Sequence, residues 1–280
     1  MNFLMNDRSA KYREFFAKYV AGNANPGIAN AFALVPRERF AGPGPWSIRC
    51  GDGYIRTPDD DPAFIYQDVL IGLDPDRGIN IGMPSAHAAW LDKMDLREGD
   101  RVIQVGAGTG YYTAVIAEIV GASGTVTAFE IDEDLAARAR QNLKDYSQVL
   151  VHTGSGIGRE LPKANAIYVC AAATAPSWAW IDALLPGGRL MFPLAPEFGL
   201  GGMLRVTRPQ AGDRWPATFV SRARFIGCTG LHGDPEDRER LINAFTEGWD
   251  RVRSLRFDDR TDRTCWFAGD GWWLSTAEPA

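Results

Sequence analysis

The chain has 280 residues, 45% of them hydrophobic and 23% charged, and a formal net charge of −5. This is the composition of an ordinary globular protein, long enough for one large domain with an extension or for two small ones. The acidic balance and the absence of a Lys/Arg block argue against nucleic acid as a partner, and no stretch approaches the ~20 apolar residues of a membrane span.

The N-terminal MNFLMNDRSAKYREFF is charged and lacks an apolar signal core, so the expected location is the cytoplasm, without membrane association. Cys50, Cys170, Cys228 and Cys265 lie far apart and form no C-x-x-C pair. Neither a disulfide framework nor a metal site is expected.

Residues 1–22 read as a helix with Tyr12, Phe15, Phe16, Tyr19 and Val20 on its apolar face. ALVPRERF, Ala33 to Phe40, is a short helical segment. Residues 41–84 are rich in Gly, Pro and Asp without periodicity, and a structureless stretch of that length is expected only where it serves a site. We read it as a segment wrapping toward one. It ends in Asn80-Ile81-Gly82-Met83-Pro84, and a helix, AHAAWLDKM, follows with Pro84 in its first turn. This lid stands directly before the central strand.

Arg101 to Asp132 reads as strand, glycine turn, helix, glycine turn, strand. Val102, Ile103 and Val105 form an apolar run typical of a parallel strand covered on both faces. Gly106-Ala107-Gly108-Thr109-Gly110 follows, then a helix with Ala114, Ile116, Ala117 and Val120 at helical spacing. A strand, a tight glycine turn and a helix N-terminus present bare backbone N–H groups to a ligand. Glu130, at the end of the next strand, can accept both hydroxyls of a ribose. The pattern G-x-G-x-G, with Tyr111 where a dinucleotide site places its third glycine, does not fit a dinucleotide. No G-K-[ST] follows, which excludes a P-loop.

Asp132 is a helix cap, followed by DEDLAARARQNLKDY, a strand over 149–152 and the turn Thr153-Gly154-Ser155-Gly156. A fourth strand (166–170), a helix (177–185) and a fifth strand (RLMFPL) come next. Two further strands, 203–206 and 219–226, have no helix between them and are expected to form an antiparallel hairpin at the sheet edge. A helix over 234–249 and two strands, VRSLRF and CWFAGDGWWLS, complete the chain. Trp266, Trp272 and Trp273 are expected to pack back on the body. The fold class is α/β, a doubly wound, mostly parallel sheet with a terminal antiparallel hairpin. The expected domains are 1–98 (helical and lid segment), 99–230 (cofactor-binding core) and 231–280 (C-terminal helix and aromatic β extension).

The G-x-G-x-G turn with a downstream acid resembles the motif of class I S-adenosylmethionine methyltransferases. From Ala33 to Gly230 the chain resembles the protein-L-isoaspartate O-methyltransferase branch. VPRERF is similar to that family's V-P-R-x-x-F, VIQVGAGTGYYTA to its V-L-E-I-G-x-G-S-G-Y, Leu185-Pro186-Gly187-Gly188-Arg189-Leu190 to its strand-five turn, and FIGCTG to its last strand.

The resemblance implies S-adenosylmethionine as cofactor, with Ile81, Gly82, His87, Gln104, Gly106, Ala107, Gly108, Gly110, Glu130, Ile131, Ser155 and Gly156 as its contacts. It also implies carboxyl O-methylation of a peptide or small-molecule acid, with Asn80, Gly82 and His87 as candidate catalytic positions. Four departures fall at functional positions: Gly82 for the family's lid serine, Gln104 for an acid, Ser155 for the aspartate of G-D-G, and Asn165 for an aspartate before the fourth strand. They leave open two alternatives, isoaspartyl repair with backbone groups replacing the serine, and a cofactor-binding protein without turnover.

Overall fold

The computed structural model describes residues 2–196, 201–231, 233–258 and 260–279. The chain begins with α1 (Asn2–Ala21), α2 (Pro26–Leu34) and α3 (Arg37–Ala41), then β1 (Ser47–Cys50), β2 (Gly53–Arg56), β3 (Ile71–Asp74) and β4 (Ile79–Ile81). Next come α4 (Pro84–Met94), β5 (Arg101–Val105), α5 (Tyr111–Val120), β6 (Thr125–Glu130), α6 (Glu133–Asn142), β7 (Val149–Thr153) and β8 (Ala164–Val169). The remainder is α7 (Trp178–Ala183), β9 (Leu184–Leu194), β10 (Gly201–Thr207), β11 (Arg214–Ala223), α8 (Pro235–Gly248), β12 (Ser254–Arg256), β13 (Cys265–Gly269) and β14 (Trp272–Ser275). Two compact units emerge: Met1–Asp100 with Ala107–Gly154, and Arg101–Gly106 with Ser155–Ala280.

In the first unit, helix boundaries follow local chemistry. Asn25 caps α2 by accepting the Gly27 N–H at 2.9 Å, with Pro26 at the first helical position. Asp132 caps α6 by accepting the Leu135 N–H at 3.0 Å. Helix α5 starts on Gly110 at φ 93° and is buried on nearly every side, with Ala114, Val115, Ile116 and Ala117 all fully enclosed. Strands β6 and β7 pair in parallel, with Glu130 opposite Thr153.

The expectation of a structureless wrap over 41–84 is corrected. Those residues hold a four-stranded antiparallel sheet in the order β2-β1-β3-β4. Its strands are three or four residues long, too short to display alternation in sequence. Ile48 faces Ile55 and Ile71, and Ile71 faces Ile81, so register is set by one row of isoleucines.

The second unit carries eight strands in the order β13-β14-β12-β11-β10-β9-β8-β5. β5, β8 and β9 run parallel; from β9 to β13 every pairing is antiparallel. The expected β10–β11 hairpin is present. It is not the edge: β12 pairs with β11, placing Leu255 opposite Trp215, and the β13–β14 hairpin continues the sheet. The second tail strand is therefore two strands joined at Asp270-Gly271, with Gly271 at φ 73°. Trp272 and Trp273 are buried, and Trp266 packs against Phe219 and Phe245 at 5.4 and 5.2 Å between centroids. The α/β class is as expected, with parallel strands, helices between them and an antiparallel end.

Candidate active site

In the first unit the glycine turn is held by its own backbone and by one acid. The Ala107 N–H donates to the Phe129 carbonyl at 3.1 Å, and the Gly110 N–H to the Ala107 carbonyl at 2.9 Å. Asn142 of α6 donates to the Thr109 carbonyl at 3.0 Å. Gly108 sits at φ 57°, where a Cβ would be at ordinary contact distance from a neighbouring side chain. Gly110 has a different role: a Cβ there would fall 2.7 Å from Leu143 Cδ1, so this glycine lets α5 and α6 approach closely.

The Glu130 carboxylate accepts the Gly108 N–H at 2.6 Å and the Asp132 N–H at 3.0 Å. It is 7% exposed, and burial raises its pKa above the ordinary carboxylate value while the two N–H bonds pull the other way. A carboxylate has about four acceptor positions. Two are taken by these N–H groups, which leaves two for a vicinal diol. Ile131, next in the chain, is an exposed apolar side chain. Thr109 Oγ1, buried inside the turn, has no hydrogen-bond partner among the described residues. Together these groups fit a nucleoside cofactor.

The segment expected to act as a lid is the β3–β4 hairpin with the start of α4. Leu73 Cδ1 lies 4.0 Å from where a Cβ of Gly108 would be. Arg77 donates to Asp132 at 2.8 Å and lies 3.5 Å from Asp74. The Leu135 N–H and Arg77 together hold the Asp132 carboxyl below its usual pKa. Asp68 secures the start of α4, accepting from the Ser85 N–H at 2.8 Å and hydroxyl at 2.6 Å.

The lid residues singled out in sequence divide by environment. Asn80 is half-buried and donates to the Gly78 carbonyl at 2.9 Å, within its own hairpin. Ile81 is buried. The Gly82 carbonyl accepts the Tyr112 hydroxyl at 2.6 Å. His87 is buried and stacked flat on Tyr112, with centroids 3.6 Å apart. Burial, with Arg37 adding repulsion, lowers its pKa to about 3, so at neutral pH it is an uncharged imidazole and a poor base.

In the second unit, Gln104 is buried on β5 with its amide directed at Cys170 Sγ, 3.8 Å away. Gly106, at φ 81°, leaves 3.3 Å between its Cβ position and the Cys170 carbonyl oxygen. Ser155 accepts the Ile157 N–H at 3.2 Å, and the Gly156 carbonyl accepts Trp180 Nε1 at 2.9 Å. Asn165 accepts the Arg101 N–H at 2.9 Å, a structural bond between strand ends. This unit also holds a cavity of about 940 Å³. Its lining includes Arg159, Trp178 and Asp182 from the body, and Phe267, Asp270 and Trp272 from the C-terminal strands.

Sequence reading missed Arg37. It is fully buried, donating to the carbonyls of Ile65, Gln67 (2.9 Å) and Val69 (3.0 Å), with its guanidinium over the rings of Phe16 and Tyr111. The V-P-R motif was the available signal, but nothing local to it names carbonyls some 30 residues away. Tyr112 was missed as well, for the same reason.

The sequence profile of a family described as Protein-L-isoaspartate(D-aspartate) O-methyltransferase matches residues 19–232. Protein-L-isoaspartate O-methyltransferase 2 of Archaeoglobus fulgidus is 34% identical over 216 residues, 75% of this chain and 89% of its own. A solved protein-L-isoaspartate O-methyltransferase superposes with a TM-score of 0.66 at 20% identity, covering 96% of this chain and 88% of its own. A second structure is described as a putative protein-L-isoaspartate O-methyltransferase from Plasmodium falciparum in complex with S-adenosyl-L-homocysteine. It has a TM-score of 0.60 at 17% identity, covering 79% and 98%. At these identities the two structures establish the fold. The profile ends before α8 and β12–β14.

Proposed function

The chain belongs to the protein-L-isoaspartate(D-aspartate) O-methyltransferase family, S-adenosylmethionine-dependent enzymes that methylate carboxylate oxygens, and we propose that its own acceptor is a carboxylate carried on a polypeptide, the isoaspartyl group first among them. The observation that carries the cofactor reading is Glu130. It closes the glycine turn through the Gly108 N–H and keeps two acceptor positions for a ribose. On this reading Ala107, Gly108 and Gly110 shape the turn, Glu130 holds the ribose hydroxyls and Ile131 supports the adenine.

S-adenosylmethionine, when bound, supplies a methyl group on a positively charged sulfur. The acceptor carboxylate forms the new O–C bond from an oxygen lone pair as the S–C bond breaks, and the bonding pair goes to sulfur. A carboxylate with a pKa of about 4 is already ionised at neutral pH and needs no general base. The neutral, enclosed His87 is compatible with that requirement and unsuited to deprotonating a hydroxyl. The protein's task is alignment: holding nucleophile and methyl in line while the lid excludes water.

The experiment is transfer of labelled methyl from S-adenosylmethionine to an isoaspartyl peptide, with its aspartyl twin as control. Base-labile label on the isoaspartyl peptide alone is the expected result. Label on neither peptide, with protein shown to be folded and to bind the cofactor, removes isoaspartyl groups as acceptor.

A further inference from the structure

Residue 82 lies in the lid immediately before α4. A Cβ built on Gly82 would fall 2.2 Å from His87 Nε2 and 2.9 Å from Cδ2, separations that real contacts do not reach. The Gly82 backbone is outside the left-handed region, so its conformation admits any residue. Space alone demands glycine here.

The imidazole is fixed in that space. It lies flat on Tyr112, 3.6 Å between centroids with planes 6° apart, and meets Trp90 edge-on at 5.1 Å. The His87 backbone N–H donates to the Met83 carbonyl at 3.2 Å, which ties the first turn of α4 to the lid. The Tyr112 hydroxyl donates to the Gly82 carbonyl at 2.6 Å. One tyrosine therefore holds the lid twice, by its hydroxyl directly and by its ring through His87. Because the peptide is planar and trans, pinning the Gly82 carbonyl also sets the direction of the Met83 N–H, which points the opposite way.

We propose that Gly82, His87 and Tyr112 form one positioning device, in which the imidazole takes the volume a side chain at 82 would need and Tyr112 fixes the Gly82 peptide, so that the lid meets the methyl acceptor with backbone alone. This rests on the lid reading above. Tyr112 is a positioning residue: it acts through Gly82. Its consequence is selectivity, because a lid with only N–H donors and no side chain at 82 serves an already ionised oxygen and gives no help to one that must lose a proton.

Two measurements on the full chain test this. The first is a thermal-melt cycle of Gly82→Ala, His87→Ala and the double variant. Gly82→Ala lowers Tm by several degrees in the parent and has almost no effect in the His87→Ala background, a strong non-additivity. Additive shifts overturn the proposal. The second uses Tyr112→Phe, which keeps the ring stack and loses one hydrogen bond. Its Tm stays near the parent and its affinity for S-adenosylmethionine by calorimetry stays within about twofold, while kcat on an isoaspartyl peptide falls about tenfold, the worth of one aligned hydrogen bond. Unchanged kcat and KM, or a loss confined to cofactor affinity, overturns the positioning role. If the parent methylates no peptide, the proposed acceptor fails, and the melt cycle still decides the Gly82–His87 coupling.

Discussion

Arg77, in the β3–β4 turn, donates to Asp132, the cap of α6, at 2.8 Å. The lid hairpin is thereby fastened to the loop that begins at Glu130. The pair is solvent-facing on the arginine side, with Arg77 at 59% exposure, so it adds little to global stability. Its value lies in keeping the lid over the turn. Arg77→Ala is expected to weaken cofactor binding about two- to fivefold. The change in Tm stays small, and both effects fade at high salt. Calorimetric titrations at low and high ionic strength check this.

Glu130→Gln removes the charge that accepts the Gly108 and Asp132 N–H groups and the proposed diol. Charged hydrogen bonds are worth about 1.5–3 kcal/mol against about 1 for neutral ones, so cofactor affinity is expected to fall roughly ten- to a hundredfold. The pH dependence has a defined sign. Burial raises the folded-state pKa of Glu130, so ionising it costs the cofactor-free protein stability as pH rises through the ordinary carboxylate value and above. Tm of Glu130→Gln relative to the parent should therefore increase from pH 4 to pH 7. A relative Tm independent of pH would contradict the assignment.

The two turn glycines should fail differently. Gly110→Ala places a methyl against Leu143 at φ 93°, and overpacking with backbone strain is expected to cost about 2–4 kcal/mol by chemical denaturation. Gly108→Ala brings a methyl only into ordinary contact with Leu73 at φ 57°, so its cost is about 1 kcal/mol or slightly more. Because it narrows the approach to Glu130, it should lose more in cofactor affinity than in stability.

Arg37 holds three backbone carbonyls without solvent access. Arg37→Met leaves them unpaired and is expected to destabilise by about 3–5 kcal/mol. Arg37→Lys recovers only part, because a single ammonium cannot reproduce the planar fork. Urea denaturation of the three proteins ranks them.

His87 predicts an acid limb of stability. Its folded pKa of about 3 lies below the unfolded value, so the unfolded chain takes up the proton first as pH falls. Stability is fully present above the unfolded pKa of about 6.5 and declines below it, at up to about 1.4 kcal/mol per pH unit, until the folded pKa is reached. His87→Phe should flatten that stretch of the stability profile. The pH dependence of kcat should show no ascending limb near 6.5 from this residue.

The glycine turn and the acid that closes it were legible in the sequence. A short apolar run, glycines at fixed offsets, a helix and an acid ending the next strand are features within about thirty residues of one another, and their spacing carries their geometry. The helix cap at Asp132 and the parallel winding were readable on the same ground. The antiparallel sheet over residues 47–81 was not, because strands of three or four residues are too short for a period to show. Nor was the tail's continuation of the sheet, which depends on β12 finding β11 about forty residues upstream.

What the sequence determined by itself is the set of groups on offer: a glycine turn after an apolar strand, an acid ending the next strand, and a glycine at residue 82. Only the tertiary structure decided why the lid carries glycine. Gly82, His87 and Tyr112 are joined by a carbonyl, a stacked ring and a volume that admits one occupant. Arg37 and the carbonyls near residues 65–69, and Arg77 and Asp132, are likewise pairs far apart in the chain. Local pattern reports which groups a segment owns. Whether two groups compete for the same space or complete each other's hydrogen bonds is set by close packing between segments, which no periodicity records.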